Sequence, residues 1–260
     1  MFKTIIFDLD GVVYRGTHGI PGVAVEIARL QEKLQVLFLT NNATKSRQDC
    51  VRHLETFGIK AKKEDIMTSA FGAAHYISEN YGKGKKIFVI GENGLKNELS
   101  VEAGALLVEA NADIVVTGLD RHFTYAKLDA GLKNISSGAK FILANSDPSY
   151  PTENGISPGS GAIGAALSCA CGKQPDVVIG KPSLYLLQKL LEMHNAKASE
   201  SVFVGDRLEI DIRMANKLGL KSVLVLTGIA KREDVQRAPD SDKPALVIQS
   251  AATIGVAIDV

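Results

Sequence analysis

Two aspartates near the amino terminus stand two positions apart, directly after a short apolar run. The stretch reads KTIIFDLDGV, and its acidic residues are Asp8 and Asp10. A desolvated carboxylate is unfavourable unless a partner neutralises it, so this pair predicts either turn residues facing water or a site that requires negative charge. In an extended chain the two side chains lie roughly 6.6 Å apart, which leaves room for a tetrahedral group between them. One carboxylate could attack such a group while the other handles the proton of the departing oxygen.

Polar side chains also follow three further predicted strands. Thr40 and Asn41 follow QVLFL, Lys181 follows VVIG, and Asp206 follows VFVG, with Asp211 one helical turn further on. A single acidic residue after a strand is most often a helix cap. Four strand ends that supply carboxylate, hydroxyl, ammonium and carboxylate groups instead indicate a ligand site, because ligands bind at the carboxyl edge of open α/β sheets.

The charges of these side chains indicate the kind of ligand. Four aspartates are set against one lysine, so a phosphate dianion would be repelled unless a divalent cation joined it. Carboxylate oxygens and water suit Mg²⁺. The site stays negative even then, and we expect Asp10 to carry a proton when substrate binds, because a leaving alkoxide needs an acid. The hydroxyl of Thr40 and the backbone N–H groups at Asn41 would hold phosphate oxygens.

A parallel sheet is the element that would position these residues. Apolar, β-branched runs alternate with longer amphipathic segments, and the runs are apolar throughout, as in strands covered on both faces. Strands are predicted at KTIIFD, QVLFLT, KIFVIG, DIVVTG, KFILAN, DVVIG, SVFVGD, KSVLVL and ALVIQ. Helices are predicted over Gly22–Leu34, Lys45–Phe57, Tyr125–Ile135, Leu184–Met193 and Glu209–Leu218. The pattern predicts an α/β fold with a doubly wound, Rossmann-like parallel sheet.

The connection between Thr40 and Lys181 is too long for a single crossover. About 140 residues separate the two positions, and they contain their own predicted strands and helices. We therefore predict an inserted α/β cap domain over residues 81–174, with residues 1–80 and 175–260 forming the catalytic core. Such a cap would cover the crevice, exclude water and read the leaving group.

Composition and charge argue against several classes of protein. The 260 residues are 45% hydrophobic and 23% charged, and the formal net charge is +1. This composition has no excess of basic charge that would indicate binding to nucleic acid or to an anionic membrane. No apolar stretch approaches the roughly 18 to 20 residues of a spanning helix, and the first apolar run is too short for a signal peptide. The three cysteines complete no metal-ligand set, which favours reduced thiols and a cytoplasmic location.

The stretches DLDGV, LTNN, GKP and GDRLEID resemble, in this order, the four motifs of the haloacid dehalogenase (HAD) superfamily, specifically of its phosphatases. Their order and spacing are similar to the NagD-like or p-nitrophenylphosphatase subgroup, which carries a large α/β cap. The second aspartate favours phosphoryl transfer over dehalogenation, because a halide leaves without a proton whereas an alkoxide requires one.

The resemblance implies roles for the acidic residues. It implies that Asp8 is the nucleophile, which forms an aspartyl-phosphate, and that Asp10 is the general acid and then the general base. It also implies a Mg²⁺ ion held by Asp8, the backbone carbonyl of Asp10 and Asp206, with Asp211 supporting the site from nearby.

The resemblance also indicates which residues bind the substrate. The family's phosphate-binding positions correspond to Thr40, Asn41, Asn42 and Lys181. The loop over residues 145–158 resembles the family's substrate-specificity loop, with Tyr150 at its tip, although a plain surface aromatic is an equal interpretation. The stretch GSGAIG that follows matches a dinucleotide fingerprint but comes after a loop, so we expect it to open a packed helix.

The sequence as a whole predicts a Mg²⁺-dependent phosphatase that hydrolyses small phosphorylated metabolites. A phosphotransferase or phosphomutase of the same superfamily is an alternative, in which an alcohol replaces water as the acceptor. A protein that binds phosphorylated metabolites without catalysis is a second alternative, although a binder has no use for a nucleophile. The oligomeric state is open, and the resemblance is compatible with a homodimer.

Overall fold

The computed structural model describes residues 1–152 and 155–260 and divides the chain into two compact units. The first unit contains residues 1–40, 51–67 and 181–260, and the second contains residues 41–50 and 68–180. Each unit has its own parallel sheet with helices, which confirms the predicted α/β class. The domain boundaries predicted at residues 80/81 and 174/175 stay a prediction.

Six strands form the sheet of the first unit. In spatial order they are Leu246–Ile248, Lys221–Val225, Ser201–Gly205, Thr4–Phe7, Gln35–Thr40 and Ile66–Thr68. The first five of these pair in parallel with their neighbours. Thr4–Phe7 has a partner on each edge and all of its residues are buried, as its continuous apolar sequence predicts.

The helices of the first unit follow its strands along the chain. They are Val23–Gln31, Tyr185–Met193, Arg213–Leu218, Arg232–Arg237 and Ile254–Ala257, and helix Arg47–Glu55 contributes residues to both units. A π-helical turn, Leu208–Ile212, leads into Arg213–Leu218, and Gly219 ends that helix in the left-handed conformation. Short 3₁₀ turns lie at Lys63–Asp65, Ala198–Glu200, Asp240–Asp242 and Ala251–Thr253.

The second unit has a five-stranded parallel sheet. Its strands, in spatial order, are Val177–Val178, Lys140–Leu143, Ile114–Thr117, Lys86–Ile90 and Leu106–Leu107. Its helices are Ser69–Tyr81, Asn93–Glu102, Tyr125–Ser136 and Ser160–Cys171. Phe88, Val115 and Phe141 of the sheet pack with Leu167 in a buried apolar cluster, which is the core of this unit.

Two antiparallel hairpins complete the described part of the chain. One pairs Tyr14–Arg15 with His18–Gly19, and the other pairs Ser149–Thr152 with Gly155–Pro158. The second hairpin lies within the loop predicted over residues 145–158, of which residues 153 and 154 are outside the described residues.

All nine predicted strands and the five predicted helical segments are confirmed, with shifted ends. The segment predicted over Glu209–Leu218 begins as a π-helical turn, and GSGAIG opens a helix as expected. The structure also contains elements that were not predicted, because two to four residues carry little periodicity of their own: the short strands Ile66–Thr68 and Leu106–Leu107 and both hairpins. None of the described helices combines the length and the apolar character that a membrane crossing requires.

We expect Ile6→Ala to lower the free energy of unfolding by about 2 to 5 kcal/mol, because Ile6 is fully buried in the central strand. Urea denaturation measures the change. Val25→Ala is the control, since Val25 is 76% exposed on helix Val23–Gln31 and its truncation should change stability by less than about 0.5 kcal/mol. Equal effects of the two substitutions would contradict the assignment of this strand to the core.

Candidate active site

The first sheet reverses its winding direction between strands Thr4–Phe7 and Ser201–Gly205. From Thr4–Phe7 the chain proceeds to Gln35–Thr40 on one side, whereas from Ser201–Gly205 it proceeds to Lys221–Val225 and Leu246–Ile248 on the other. A crevice opens outside the carboxyl ends of the strands at such a switch point, and ligands of open α/β sheets bind there. Asp8 and Asp206 are the residues that directly follow these two strands.

Asp8 extends the central strand by one residue and is 6% exposed. Its backbone N–H donates to the Val204 carbonyl at 2.9 Å, so the parallel ladder fixes its position. Burial raises the pKa of its carboxyl well above the usual range, and the charges of Asp211 and Asp206 add to this effect, although Lys181 opposes it.

Lys181 places a positive charge between two of the carboxylates. Its Nζ atom lies 2.6 Å from Asp8 Oδ1 and 2.7 Å from Asp211 Oδ1, and the residue is 3% exposed. Burial alone would lower the pKa of this ammonium, but the charges of Asp211 and Asp8 outweigh burial and hold it above its ordinary value. Lys181 is therefore a fixed cation.

The strand that precedes Lys181 corrects one expectation. All the candidate residues are expected at strand ends along one sheet edge, but Val177–Val178 belongs to the sheet of the second unit. Lys181 therefore reaches Asp8 from a connecting segment rather than from a neighbouring strand of the same sheet. A short apolar run before a polar residue cannot indicate which sheet the run will join.

Asp211 is 1% exposed and lies on the π-helical turn Leu208–Ile212. Its Oδ2 atom accepts hydrogen bonds from the backbone N–H groups of Asp206 at 3.2 Å and Arg207 at 3.1 Å. Because its other oxygen contacts Lys181, this side chain joins the turn after Ser201–Gly205 to the buried ammonium.

Asp206 is held by the loop that follows the neighbouring strand Lys221–Val225. The backbone N–H of Ile229 donates to its Oδ2 atom at 2.9 Å, and the N–H of Ala230 donates to its carbonyl at 3.0 Å. Gly228 approaches so closely that a Cβ atom there would collide with the Asp206 carboxylate. Burial, followed by the charge of Asp211, raises the pKa of Asp206 to about 7, although the Ile229 hydrogen bond opposes the shift.

The three buried carboxylates could hold a metal ion. Oxygens of Asp8, Asp206 and Asp211 lie within 4.8 Å of one another. Their three charges exceed the single charge of Lys181. Burial is the main cause of the raised pKa values of Asp8 and Asp206, and the neighbouring carboxylates add to it. Clustered carboxylate oxygens with uncompensated negative charge fit a hard divalent cation.

Asp10 and Thr40 lie at the same edge of the first sheet. Asp10 is exposed, and the backbone turns directly after it at Gly11, whose φ of +84° favours glycine. A Cβ atom on Gly11 would also lie 2.5 Å from Asp206 Oδ2. Thr40 ends strand Gln35–Thr40 and is 3% exposed, two residues beyond the Phe7–Phe38 pair of the ladder.

The remaining predicted site residues belong to the second unit. Asn41 donates to Asp147 Oδ2 at 2.9 Å, and its carbonyl accepts from Ser69 and Asn145. The side-chain oxygen of Asn42 accepts from the backbone and hydroxyl of Thr44, which closes a local turn. Tyr150 is half-buried on the hairpin strand Ser149–Thr152. The roles of these residues in binding stay predictions.

The loop over residues 227–230 is a part of the site that was not predicted from the sequence. The hydroxyl of Thr227 donates to the Gly11 carbonyl at 2.7 Å, while Ile229 and Ala230 bind Asp206. The loop directly follows the predicted strand KSVLVL, so the strand-end rule that found the other residues would also have found it.

Comparison with known proteins identifies the family. A profile of haloacid dehalogenase-like hydrolases matches residues 5–104, and a second, HAD-hydrolase-like profile matches residues 178–254. The chain therefore belongs to the haloacid dehalogenase-like hydrolases, and its resemblance to the NagD-like and p-nitrophenylphosphatase group is confirmed.

Three relatives illustrate the similarity. The chain is 38% identical to the acid sugar phosphatase of Staphylococcus aureus over 237 residues, or 90% of each chain. It matches the p-nitrophenyl phosphatase from Archaeoglobus fulgidus with a TM-score of 0.92 and 31% identity over 98% of this chain and 99% of that chain. For the glycerol phosphate phosphatase from Mycobacterium tuberculosis in complex with magnesium the TM-score is 0.88, with 32% identity over 97% of this chain and 76% of that chain. A further structure of that phosphatase contains calcium.

We expect Asp206→Asn to stabilise the metal-free protein at pH 8. The Asp206 carboxyl has a pKa of about 7 in the folded protein and an ordinary value of 3.8. Between these values only the folded state holds the proton, so the free energy of unfolding falls as the pH rises through this window. Asparagine cannot lose a proton, and the variant should be more stable by on the order of 2 kcal/mol at pH 8 and by less at pH 5.

Thermal unfolding in EDTA at both pH values measures this difference. Asp240→Asn is the control, because Asp240 is exposed and Lys243 holds the pKa of that carboxyl below its ordinary value. A Tm for Asp206→Asn at pH 8 that does not exceed the wild-type value would contradict the prediction.

Proposed function

We propose that this chain is a Mg²⁺-dependent phosphatase that hydrolyses small phosphate monoesters through an aspartyl-phosphate on Asp8. The observation that carries the proposal is the buried contact of Asp8 and Asp211 with Lys181 at the switch point of the sheet, where Asp206 also lies. The activities in the names of the relatives support it, since all three are phosphatases.

Asp8 is the nucleophile in this proposal. One of its carboxylate oxygens attacks phosphorus, a bond from that oxygen to phosphorus forms, and the bond from phosphorus to the ester oxygen breaks. Asp10, as a carboxylic acid, gives its proton to the leaving oxygen. Asp10 then takes a proton from a water molecule that attacks phosphorus, which breaks the bond to Asp8 and releases inorganic phosphate. Asp8 and Asp10 thereby return to their starting states.

Lys181 and Asp211 prepare the nucleophile. The ammonium of Lys181 stabilises the Asp8 carboxylate and can also bind a phosphate oxygen, while Asp211 keeps the ammonium in place. Thr40 would add a hydroxyl donor for the phosphate. Asn41 and Asn42 as phosphate ligands, and Tyr150 as a substrate contact, complete the set that the resemblance implies.

Asp8, the backbone carbonyl of Asp10 and Asp206 would hold the Mg²⁺ ion, with Asp211 supporting them. The ion would supply positive charge that offsets the carboxylates and the phosphate. Magnesium and calcium both occur in structures of a relative. We favour magnesium because a site with few carboxylates, completed by waters and a substrate phosphate, is typical of Mg²⁺, whereas Ca²⁺ takes a larger number of oxygen ligands.

The names of the relatives favour small phosphate monoesters as the substrates of this chain. Their names include acid sugar, glycerol phosphate and p-nitrophenyl phosphatases, and these substrates share a phosphate monoester on a small leaving group. A cytoplasmic location and a homodimer stay predictions from the sequence.

We expect Asp8→Asn to reduce the hydrolysis of p-nitrophenyl phosphate by at least about 1,000-fold, because an amide cannot form the covalent intermediate. The release of p-nitrophenolate measures the rate, and the Tm shows whether the variant folds. Asp259→Asn is the control: Asp259 is exposed with φ of 59°, a conformation that asparagine also adopts. Substantial activity in folded Asp8→Asn would exclude Asp8 as the nucleophile.

We expect EDTA to abolish hydrolysis and added Mg²⁺ to restore it, because the three buried carboxylates exceed the charge of Lys181. Turnover of p-nitrophenyl phosphate across a Mg²⁺ titration measures the dependence. A rate that is unaffected by chelation would remove the metal from the proposal.

A further inference from the structure

We propose that Thr227 is a positioning residue for the general acid Asp10. Its hydroxyl holds the Gly11 carbonyl, and Arg15 holds Thr227 in turn. This inference rests on the proposed function, because it concerns the residue that protonates the leaving group.

Asp10 lies on a tight turn, so the backbone of the neighbouring residues sets the position of its side chain. The residue is exposed, whereas Leu9 and Gly11 on either side of it are buried. Local hydrogen bonds shape the turn: the Val13 N–H donates to the Leu9 carbonyl at 2.8 Å, and the Gly11 N–H donates to the Tyr14 carbonyl at 2.7 Å. These bonds set the shape of the turn that carries Asp10.

Thr227 provides an attachment to a distant segment of the chain. Its Oγ1 atom lies 2.7 Å from the Gly11 carbonyl oxygen, across 216 residues of sequence. The contact is made at the residue directly after Asp10, and Gly11 is buried, so the carbonyl would otherwise lack this donor. A general acid must lie within hydrogen-bond distance of the leaving oxygen, and small displacements reduce the rate strongly.

Arg15 closes a ring of contacts around the same position. Its Nε atom donates to the Thr227 carbonyl at 2.6 Å, and its Nη2 atom contacts the same oxygen. Arg15 follows Tyr14, whose carbonyl accepts the Gly11 N–H. Thr227 is therefore bound through its carbonyl and through its hydroxyl to the segment that carries Asp10, and we refer to Gly11, Arg15 and Thr227 as the acid clamp.

The effect of the acid clamp on Asp10 can be tested separately from the contacts that hold Asp206 in place. The contacts of this loop with Asp206 come from the backbone N–H groups of Ile229 and Ala230 and from the close approach of Gly228. Substitution of the Thr227 side chain removes none of these groups. Loss of the hydroxyl should therefore affect proton transfer to the leaving group more than metal binding.

The experiment compares two substrates that differ in their need for an acid. Glycerol 3-phosphate releases a poor leaving group that requires a proton, whereas p-nitrophenyl phosphate releases a good one. We expect Thr227→Val to lower the burst rate of leaving-group release from glycerol 3-phosphate about tenfold, and that from p-nitrophenyl phosphate by less than about twofold. The burst rates are compared because Asp10 also serves the later hydrolysis of the aspartyl-phosphate, a step that both substrates share. The Mg²⁺ concentration for half-maximal rate should stay within about twofold of the wild-type value.

Three further variants make the result specific. Thr227→Ser keeps the hydroxyl and should restore most of the lost activity. Arg15→Lys keeps the charge but removes the forked contact, and it should cause a smaller loss in the same direction. Asp10→Asn removes the acid altogether and shows how far the rate losses on the two substrates then differ.

Thr56→Val is the matched control, because the Thr56 hydroxyl donates to the His53 carbonyl at 2.6 Å at an exposed position. It should leave both rates unchanged. Equal losses of Thr227→Val on the two substrates, no loss on either, or failure of Thr227→Ser to restore activity would each overturn the acid clamp. Asp8→Asn in the same assay separates the two ideas: if it stays active, the proposed function itself fails, whereas if it is inactive, these outcomes concern Thr227 alone.

Discussion

A buried carboxylate is unfavourable unless opposite charge or hydrogen bonds compensate it. Three such groups close together are more unfavourable still, because they also repel one another. Lys181 compensates two of them directly, through its contacts with Asp8 and Asp211. Backbone N–H groups compensate Asp211 and Asp206 further. Three carboxylates still face one ammonium, and burial together with the neighbouring carboxylates raises the pKa values of Asp8 and Asp206. This excess of carboxylates over ammonium provides the attraction for a divalent cation.

The topology of the first sheet explains why these charges meet. The strands before Asp8 and Asp206 are neighbours, although about 200 residues separate them in sequence, and the sheet winds away from them in opposite directions. The connections of the sheet therefore diverge at this point, which is where ligand sites of open α/β sheets form. Lys181 and the loop over residues 227–230 then add contacts from segments that are not part of the central strands. Each of these contacts fixes a group that the proposed reaction uses.

Much of this arrangement was predictable because its local signals are strong. Buried parallel strands need continuous apolar runs, and all nine predicted runs form strands. Asp8 and Asp206 could be recognised from their positions after such runs. The short strands Ile66–Thr68 and Leu106–Leu107 could not, because they are stabilised by pairing with a neighbour rather than by their own sequence.

The sequence by itself determined the class of fold, the order of the reactive groups and the kind of chemistry they allow, since these follow from residue types and local periodicity. Tertiary structure decided that Lys181 arrives from a connection after the second sheet, that Asp211 holds this ammonium, and that Thr227 contacts Gly11. Such contacts join residues that are far apart in the chain, and their geometry depends on how the strands pair. No pattern within a single segment encodes that pairing.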